Sequence, residues 1–429
     1  MSGTAIARGF VLDRRSLPQW LLVSVFAGVA LGGALTLGLS ALLLLAMLMS
    51  GEGAVYWRRV RGNPVVWCLA ALYLCIVLSA LWSPASGAEK WRHIEKYSRL
   101  LYLPIAVALL DSPAWRRRAL AAFALAMLLT LALSWLHAAW PFAWARATRE
   151  TLAHSHSIFK TYITQGMMMS LLALLACMLA LNGRRVFARE AWSSSAYLWF
   201  AVALLAAINI TTLLHGRTGQ ITLVANVLVV FVFGLGGRRR IVFLAAAATV
   251  FASLFFTSEQ FRTRLNSVST ELQAFREHKA VTSSGERWTY AVVASEIASR
   301  GPFYGHGLGS YPAEFCRTIE PKSWCNKGEV RPHNQYLLFA VEQGVFGVAA
   351  MLALLVSAGS LALRLGCTDR TMMLGIVVTF AIHSALDSTL WIATEGSFFP
   401  LMLGLFAAAA SDPHEDWRVL ERVAPAPRP

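Results

Sequence analysis

Charge is scarce in this chain. Of its 429 residues only 14% are charged and 57% are hydrophobic, giving a mean hydropathy of +0.55. Too little polar surface is present to cover a soluble domain of this size, so that class is excluded. Cysteine is scarce as well: six residues are too few for a disulfide scaffold. Several catalytic signatures are missing. There is no His-Glu-x-x-His, no Asp-x-Asp in the loops read below as external, and no carboxylate cluster at metal-ligand spacing, so no metal is expected. No Gly-x-Ser-x-Gly elbow occurs, which removes the hydrolase-type serine nucleophile. Ten-residue alternation of apolar and polar residues is also lacking, and with it the signal of a β-barrel.

What is present is length of apolar run. About twelve apolar stretches of roughly 13–23 residues, the first two and the fourth being short, are candidates to cross a ~30 Å hydrocarbon core. They fall near 17–31, 34–49, 64–82, 98–110, 116–138, 163–181, 196–214, 219–236, 240–256, 336–358, 371–390 and 394–410. In lipid only helices satisfy their own backbone hydrogen bonds segment by segment. The expected fold is therefore all-α and polytopic. It divides into helices over 1–256, a polar insert over 257–335, helices over 336–410 and a tail over 411–429.

Arginines orient it. With twelve crossings, Arg8, Arg14, Arg15, Arg58, Arg59, Arg61, the 116–118 triplet, Arg184, Arg185, Arg189, the 238–240 triplet, Arg364, Arg370 and the tail arginines all share one side. Short basic loops stay cytoplasmic, so both termini are expected inside and the insert outside. The first apolar run leads into a second with no Ala-x-Ala site and reads as an anchor. The expected location is a bacterial inner membrane, with the insert in the periplasm. The net charge of +15 mostly reports this topology, and no nucleic-acid partner is implied.

Other basic residues lie on the wrong side for that rule. One external loop holds Lys90, Arg92, Lys96 and Arg99, with Trp91 and Tyr97 at headgroup level. A second holds Arg146, Arg149, His154, His156 and Lys160; a third, only a few residues long, holds His215 and Arg217. Individually such cations pair with lipid phosphates or nearby carboxylates. Collectively they make the outer face a receptor for a polyanion, with phosphorylated lipids the obvious candidates. Arg217 sits in a Gly-x-Thr-Gly turn between apolar spans. It is either a snorkelling interfacial arginine or a planar fork matched to phosphate oxygens.

The insert contains Cys316 and Cys325, nine residues apart, which are either free thiols or a disulfide contributing about 2–3 kcal/mol. Phe261–Leu265 suggests a helix along the membrane surface. Glu286–Arg300 reads as an amphipathic helix with Arg287 in its first turn and Trp288, Ala291, Val292, Ser295 and Ile297 as its apolar side. The Gly305-His306-Gly307-Leu308-Gly309 turn has no βαβ context for a nucleotide site. It is expected to bring backbone close to something. Arg331-Pro332-His333-Asn334-Gln335-Tyr336 closes the insert. His333 there is either a helix-start histidine or a general base. Glu342, His383 and Asp387 fall within apolar spans, where ionisable groups default to function. His383 and Asp387 are spaced to orient each other on one helix face.

These pieces together resemble a known family, the bacterial O-antigen ligases of lipopolysaccharide assembly. The likeness rests on Leu214-His215-Gly216-Arg217-Thr218-Gly219, Ser284-Gly285-Glu286-Arg287-Trp288, the 305–309 turn, and Pro332-His333-Asn334-Gln335-Tyr336 followed by Glu342-Gln343-Gly344. The resemblance implies a fold similar to the GT-C-type glycosyltransferases. It also implies transfer of a polysaccharide from undecaprenyl diphosphate to a sugar hydroxyl of lipid A–core, with no metal or other cofactor. By motif, Arg217 and Arg287 would neutralise the diphosphate and His333 would be the base. The Lys90–Arg99 and Arg146–Lys160 clusters would receive acceptor phosphates. His215, Arg331, Asn334, Gln335, Tyr336, His383 and Asp387 are further substrate-binding candidates. The rival readings are an O-antigen polymerase, a periplasmic protein oligosaccharyltransferase and a lipid-linked sugar transporter. A transporter would favour a repeat between halves, and none is visible.

Overall fold

A computed structural model describes residues 16–149, 155–186, 194–214, 216–237, 240–241, 243, 283–320, 322–326 and 331–410. Among these residues all regular structure is helical, with no strand. The expected span at 240–256, the surface helix at 261–265 and the 411–429 tail lie largely or wholly outside the described residues.

The first half of the bundle comprises α1 (Leu17–Leu31), α2 (Gly33–Ser50), α3 (Gly53–Val60), α4 (Pro64–Ser79), α5 (Gly87–Tyr97), α6 (Tyr102–Leu109), α7 (Pro113–Ala139) and the single turn α8 (Arg146–Arg149). It continues through α9 (Tyr162–Val186), α10 (Ser194–Ile208) and α11 (Arg217–Val229). The last part contains α12 (Ser283–Arg300), α13 (Tyr311–Thr318), α14 (Gln335–Glu342), α15 (Gly344–Ala362), α16 (Cys367–Leu386) and α17 (Ala393–Ala410). Starts are set locally. Asn63 and Ser112 cap α4 and α7, each followed by a proline in the first turn. Ser86 and Glu89 form a reciprocal capping box at the head of α5.

Seven described helices are long and apolar enough to cross a membrane, and the bent pair α3–α4, kinked by 98°, makes an eighth. The protein is a multi-pass membrane protein. Two expected spans differ from expectation. The 98–110 stretch is a 3₁₀ turn, Ser98–Leu101, followed by α6. Together they rise about 20 Å, short of a ~30 Å core. The 336–358 stretch is broken at Gly344, where φ is +64°. α14 is thus a separate short helix, and the long one, α15, begins only there.

α9 and α17 are the most enclosed helices. The buried rings of Phe380, Phe399, Phe398 and Phe123 follow one another in series, centroids 4.6–5.4 Å apart, the first pair stacked and the others tilted or edge-on. Small residues allow close approach. A Cβ on Gly219 of α11 would stand 3.0 Å from the backbone of Gly166 on α9. Buried amides join helices: Asn226 Nδ2 donates to Thr379 Oγ1 at 3.1 Å and to Ser170 Oγ at 3.3 Å.

The glycine-rich turn proves to be a structural joint. Gly305, Gly307 and Gly309 all adopt positive φ. The amides of His306 and Gly307 donate to the carbonyls of Val341 and Glu342 at the end of α14, at 2.7 and 2.9 Å. Leu308 N–H reaches Ser79 O at 3.2 Å, and Ser83 Oγ donates to Leu308 O at 2.6 Å. A Cβ on Gly307 would lie 2.4 Å from Ser83 Cα. Gly307→Ala is therefore expected to destabilise the protein by about 1–3 kcal/mol, read as a lower melting temperature in detergent. Gly236→Ala, with open space around the added atom, serves as the neutral control.

Candidate functional site

Helix starts and ends converge at the His333 end of the bundle, and many of the polar groups there are held by a neighbouring segment. α14 begins at Gln335, not at His333, because Asn334 is its N-cap: its side chain accepts from Leu337 N–H at 3.0 Å. The Asn334 amide also donates to Ala385 O at 3.1 Å, and Tyr336 Oη donates to Ala381 O at 3.1 Å. Gln335 Oε1 accepts from Leu390 N–H at 2.9 Å. Three successive residues of the motif thus pin α14 to the end of α16 and the loop after it. They act here as scaffold for the histidine before them.

His333 is the one described non-glycine residue with positive φ, +47°. Left-handed geometry at a non-glycine residue costs about 1–3 kcal/mol and gathers at functional sites. Its Nδ1 lies 3.2 Å from Asp387 Oδ1. Asp387 was expected on the face of a helix beside His383. It stands instead one residue past the end of α16, in extended conformation, where its carboxylate swings to His333. Ser388 N–H donates to the same oxygen at 2.8 Å. An ionised carboxylate can only accept, so Nδ1 carries the proton, and in the neutral imidazole the lone pair is then on Nε2.

His383 turns the other way. Its Nδ1 is 2.8 Å from Thr389 Oγ1, and its Nε2 is 3.9 Å from Glu395 Oε1. Thr164 Oγ1 donates to Glu395 at 2.6 Å, and Lys160 Nζ donates to Thr394 Oγ1 at 3.1 Å. This ties the start of α17 to the start of α9. Burial lowers the affinity of Lys160 for its proton, with Glu395 opposing the effect. Glu395 was visible in the sequence as one more ionisable residue in an apolar span, and the rule applied to Glu342 and His383 would have found it.

Arg217 is the first residue of α11. The turn before it, Asn209–Leu213, has π geometry, and Leu214 N–H closes onto Asn209 O at 2.9 Å. Asn209 Nδ2 donates to Ser134 Oγ, Ser134 Oγ donates to His156 O, and His156 N–H donates to Leu213 O. Gly216 packs on Tyr162 at the head of α9, which places Arg217 beside the helix start that carries Thr164. Arg287 lies in the second turn of α12, half-buried, close enough to His383 to act on its charge.

α12 runs from Ser283, three residues before the expected start, and buries a different side. Tyr290, Val293, Ala294 and Ile297 form its core face with Tyr311, Phe315 and Leu338, while Trp288 and Val292 are exposed. The helix has two apolar stripes, and only packing against α13 and α14 selects one. Cys316 and Cys325 are joined as a disulfide at a Cα separation of 5.4 Å.

The basic clusters divide. Lys96 Nζ lies 3.5 Å over the ring of Trp391, so this cation braces α5 against the 387–395 loop. His93 packs 4.3 Å from the same ring. Burial, together with Lys96 and Arg92, holds its pKa down at about 4, so it serves as a neutral packing ring. Arg92, Arg146 and Arg149 are exposed, Lys90, Arg99 and Arg331 are half-buried, and His154 and His215 lie outside the described residues.

Residues 201–352 match the family model described as O-Antigen ligase. That stretch contains Arg217, Arg287 and His333, and it stops before Asp387. No curated protein matches the chain. Over those residues the chain is similar to the O-antigen ligase family, whose members are glycosyltransferase-like enzymes.

Proposed function

We propose that this protein transfers a polysaccharide from undecaprenyl diphosphate to a sugar hydroxyl of lipid A–core on the periplasmic face of the inner membrane. The pairing of His333 with Asp387 is the observation that carries the reading. Asp387 orients the imidazole, and His333 Nε2 accepts the proton of the acceptor hydroxyl as its oxygen attacks the anomeric carbon. The bond from that carbon to the diphosphate oxygen breaks, and the lipid diphosphate leaves against Arg217 and Arg287. A single displacement inverts the anomeric configuration. The side chain of His333 is 29% exposed, so the proton then passes to solvent. Both chain termini lie in the cytoplasm on this reading. The exposed Arg92, Arg146 and Arg149, with Lys90 and Arg99, meet the phosphates of the acceptor and of surrounding lipids.

Purified protein supplied with undecaprenyl diphosphate-linked glycan and lipid A–core is expected to form a glycan–lipid A product, at the same rate with EDTA present. Longer lipid-linked chains in place of that product identify a polymerase, and glycan on an added acceptor protein identifies an oligosaccharyltransferase. Asp387→Asn is expected to lower the turnover roughly 10–10³-fold, since an amide facing Nδ1 favours the wrong tautomer. An unchanged rate in that variant would remove Asp387 from the mechanism.

A further inference from the structure

A hydrogen bond at Nδ1 fixes one atom of the His333 ring and leaves the ring free to pivot about it. Nε2, which must meet the substrate, is the atom that such a pivot displaces. The ring of Tyr290 stands against this motion, its centroid 5.8 Å from that of His333. Tyr290 is itself held from behind. Phe315 lies 5.2 Å from it and Trp324 meets it edge-on at 6.0 Å. Phe315 immediately precedes Cys316 and Trp324 immediately precedes Cys325. The two rings that clamp Tyr290 are therefore carried by the two residues adjoining the disulfide. Phe315 and Tyr290 also belong to the same buried apolar cluster of α12, α13 and α14, so a shift of the disulfide loop bears on the tyrosine directly. On the loop side, Lys322 Nζ donates to the carbonyls of Cys316, Arg317 and Ile319 at 3.1–3.2 Å. This lacing keeps the loop near its place when the sulfurs part.

We propose that Tyr290 is a positioning residue for His333, and that the Cys316–Cys325 disulfide, acting through Phe315 and Trp324, sets how firmly it holds. Group transfer then depends on the oxidation state of a cysteine pair that touches no substrate. The inference rests on His333 being the base. Its contact with the tyrosine can nonetheless be measured without any turnover. The requirement is for a ring of the right shape at 290, not for the phenol oxygen. The effect falls on kcat, because misplacing a reacting atom by about 1 Å costs up to ~10²-fold while leaving remote binding intact.

The test uses full-length protein in detergent, well below its melting temperature. Tyr290→Phe, Tyr290→Leu and the double variant Cys316→Ser/Cys325→Ser are compared with wild type, before and after treatment with a phosphine reductant. Two readouts are taken: kcat and KM for glycan transfer, and the rate at which His333 alone reacts with diethyl pyrocarbonate, followed by peptide mass spectrometry. Tyr290→Phe is expected to stay within about twofold of wild type. Tyr290→Leu is expected to lose about tenfold in kcat with donor KM unchanged, and its His333 to be labelled several-fold faster. Reduction of wild type is expected to move both readouts the same way by a smaller factor, and to have no effect on the double variant. If the serine variant fails to fold, reduction of the folded wild-type protein decides. The proposal is overturned if Tyr290→Leu and reduction lower only the melting temperature, with kcat and labelling unchanged. It is overturned equally if labelling changes and kcat does not. Should His333→Ala retain its transfer rate, the assignment of the base falls, and the labelling rates report the contact separately.

Discussion

Replacing His333 with asparagine is expected to cut glycan transfer by about 10²–10⁴-fold, the usual contribution of a positioned general base. Asparagine is the informative choice because it tolerates the left-handed backbone found at this position, φ +47°. It also lacks a group that can take up a proton at neutral pH. Alanine removes the base too, but is less at ease in this left-handed geometry than asparagine or histidine, so a loss of rate there would mix chemistry with folding. Binding of the lipid diphosphate should persist in His333→Asn, since the histidine is asked to meet the acceptor hydroxyl and not the donor phosphates. The measurement is initial rate at saturating donor, beside a donor-binding isotherm and a melting curve. Wild-type turnover in a folded His333→Asn protein would sink the mechanism.

The second large effect is expected at Arg287. Arg287→Ala should lower kcat/KM by about 10²–10³-fold, as the loss of one donor to a developing anion does. The expectation comes from its place. It sits in the second turn of α12, one turn before Tyr290, near His383 and on the same end of the bundle as the His333–Asp387 pair. Arg287→Lys should recover part of the rate, because it keeps the charge but loses the planar fork that spans two phosphate oxygens. Arg217→Ala is expected to behave alike, and the double variant to lose less than the product of the two if both arginines hold one diphosphate. Full additivity would place them on separate anions.

Several parts of the site were legible because they depend on residues near one another in sequence. Pro332–Tyr336 announces a polar motif at a helix boundary, and Asn334 does cap that helix. Arg287 at the head of an amphipathic stretch and Arg217 in a tight turn are likewise local features. Asp387 stands out in the sequence as an ionisable group in an apolar run and a substrate-binding candidate, but its hydrogen-bond partner does not. Helical spacing points to His383, but the chain leaves the helix at Leu386. That turns the carboxylate toward a residue 54 positions away. The Lys90–Arg99 cluster is expected as a group to receive acceptor phosphates, yet Lys96 is committed to Trp391. Nothing within either segment records that contact. Trp288 and Val292 were expected inside, because an isolated helix with two apolar stripes does not reveal which neighbour will cover one of them.

What the sequence settled by itself is the class: an all-α membrane protein, since apolar length and scarcity of charge are properties of each segment, and lipid accepts only helices or closed barrels, of which the barrel's alternation is lacking. It also pointed to the arginines and the histidine, because polar residues at the ends of apolar runs stand out one by one. Only the tertiary structure decided which of those residues meet. The pairing of His333 with Asp387, the bracing of Tyr290 by rings beside the disulfide, and the docking of the glycine turn on α4 and α14 all join segments distant in sequence. Such contacts are selected by how whole helices pack, a cooperative property that no local window of residues contains.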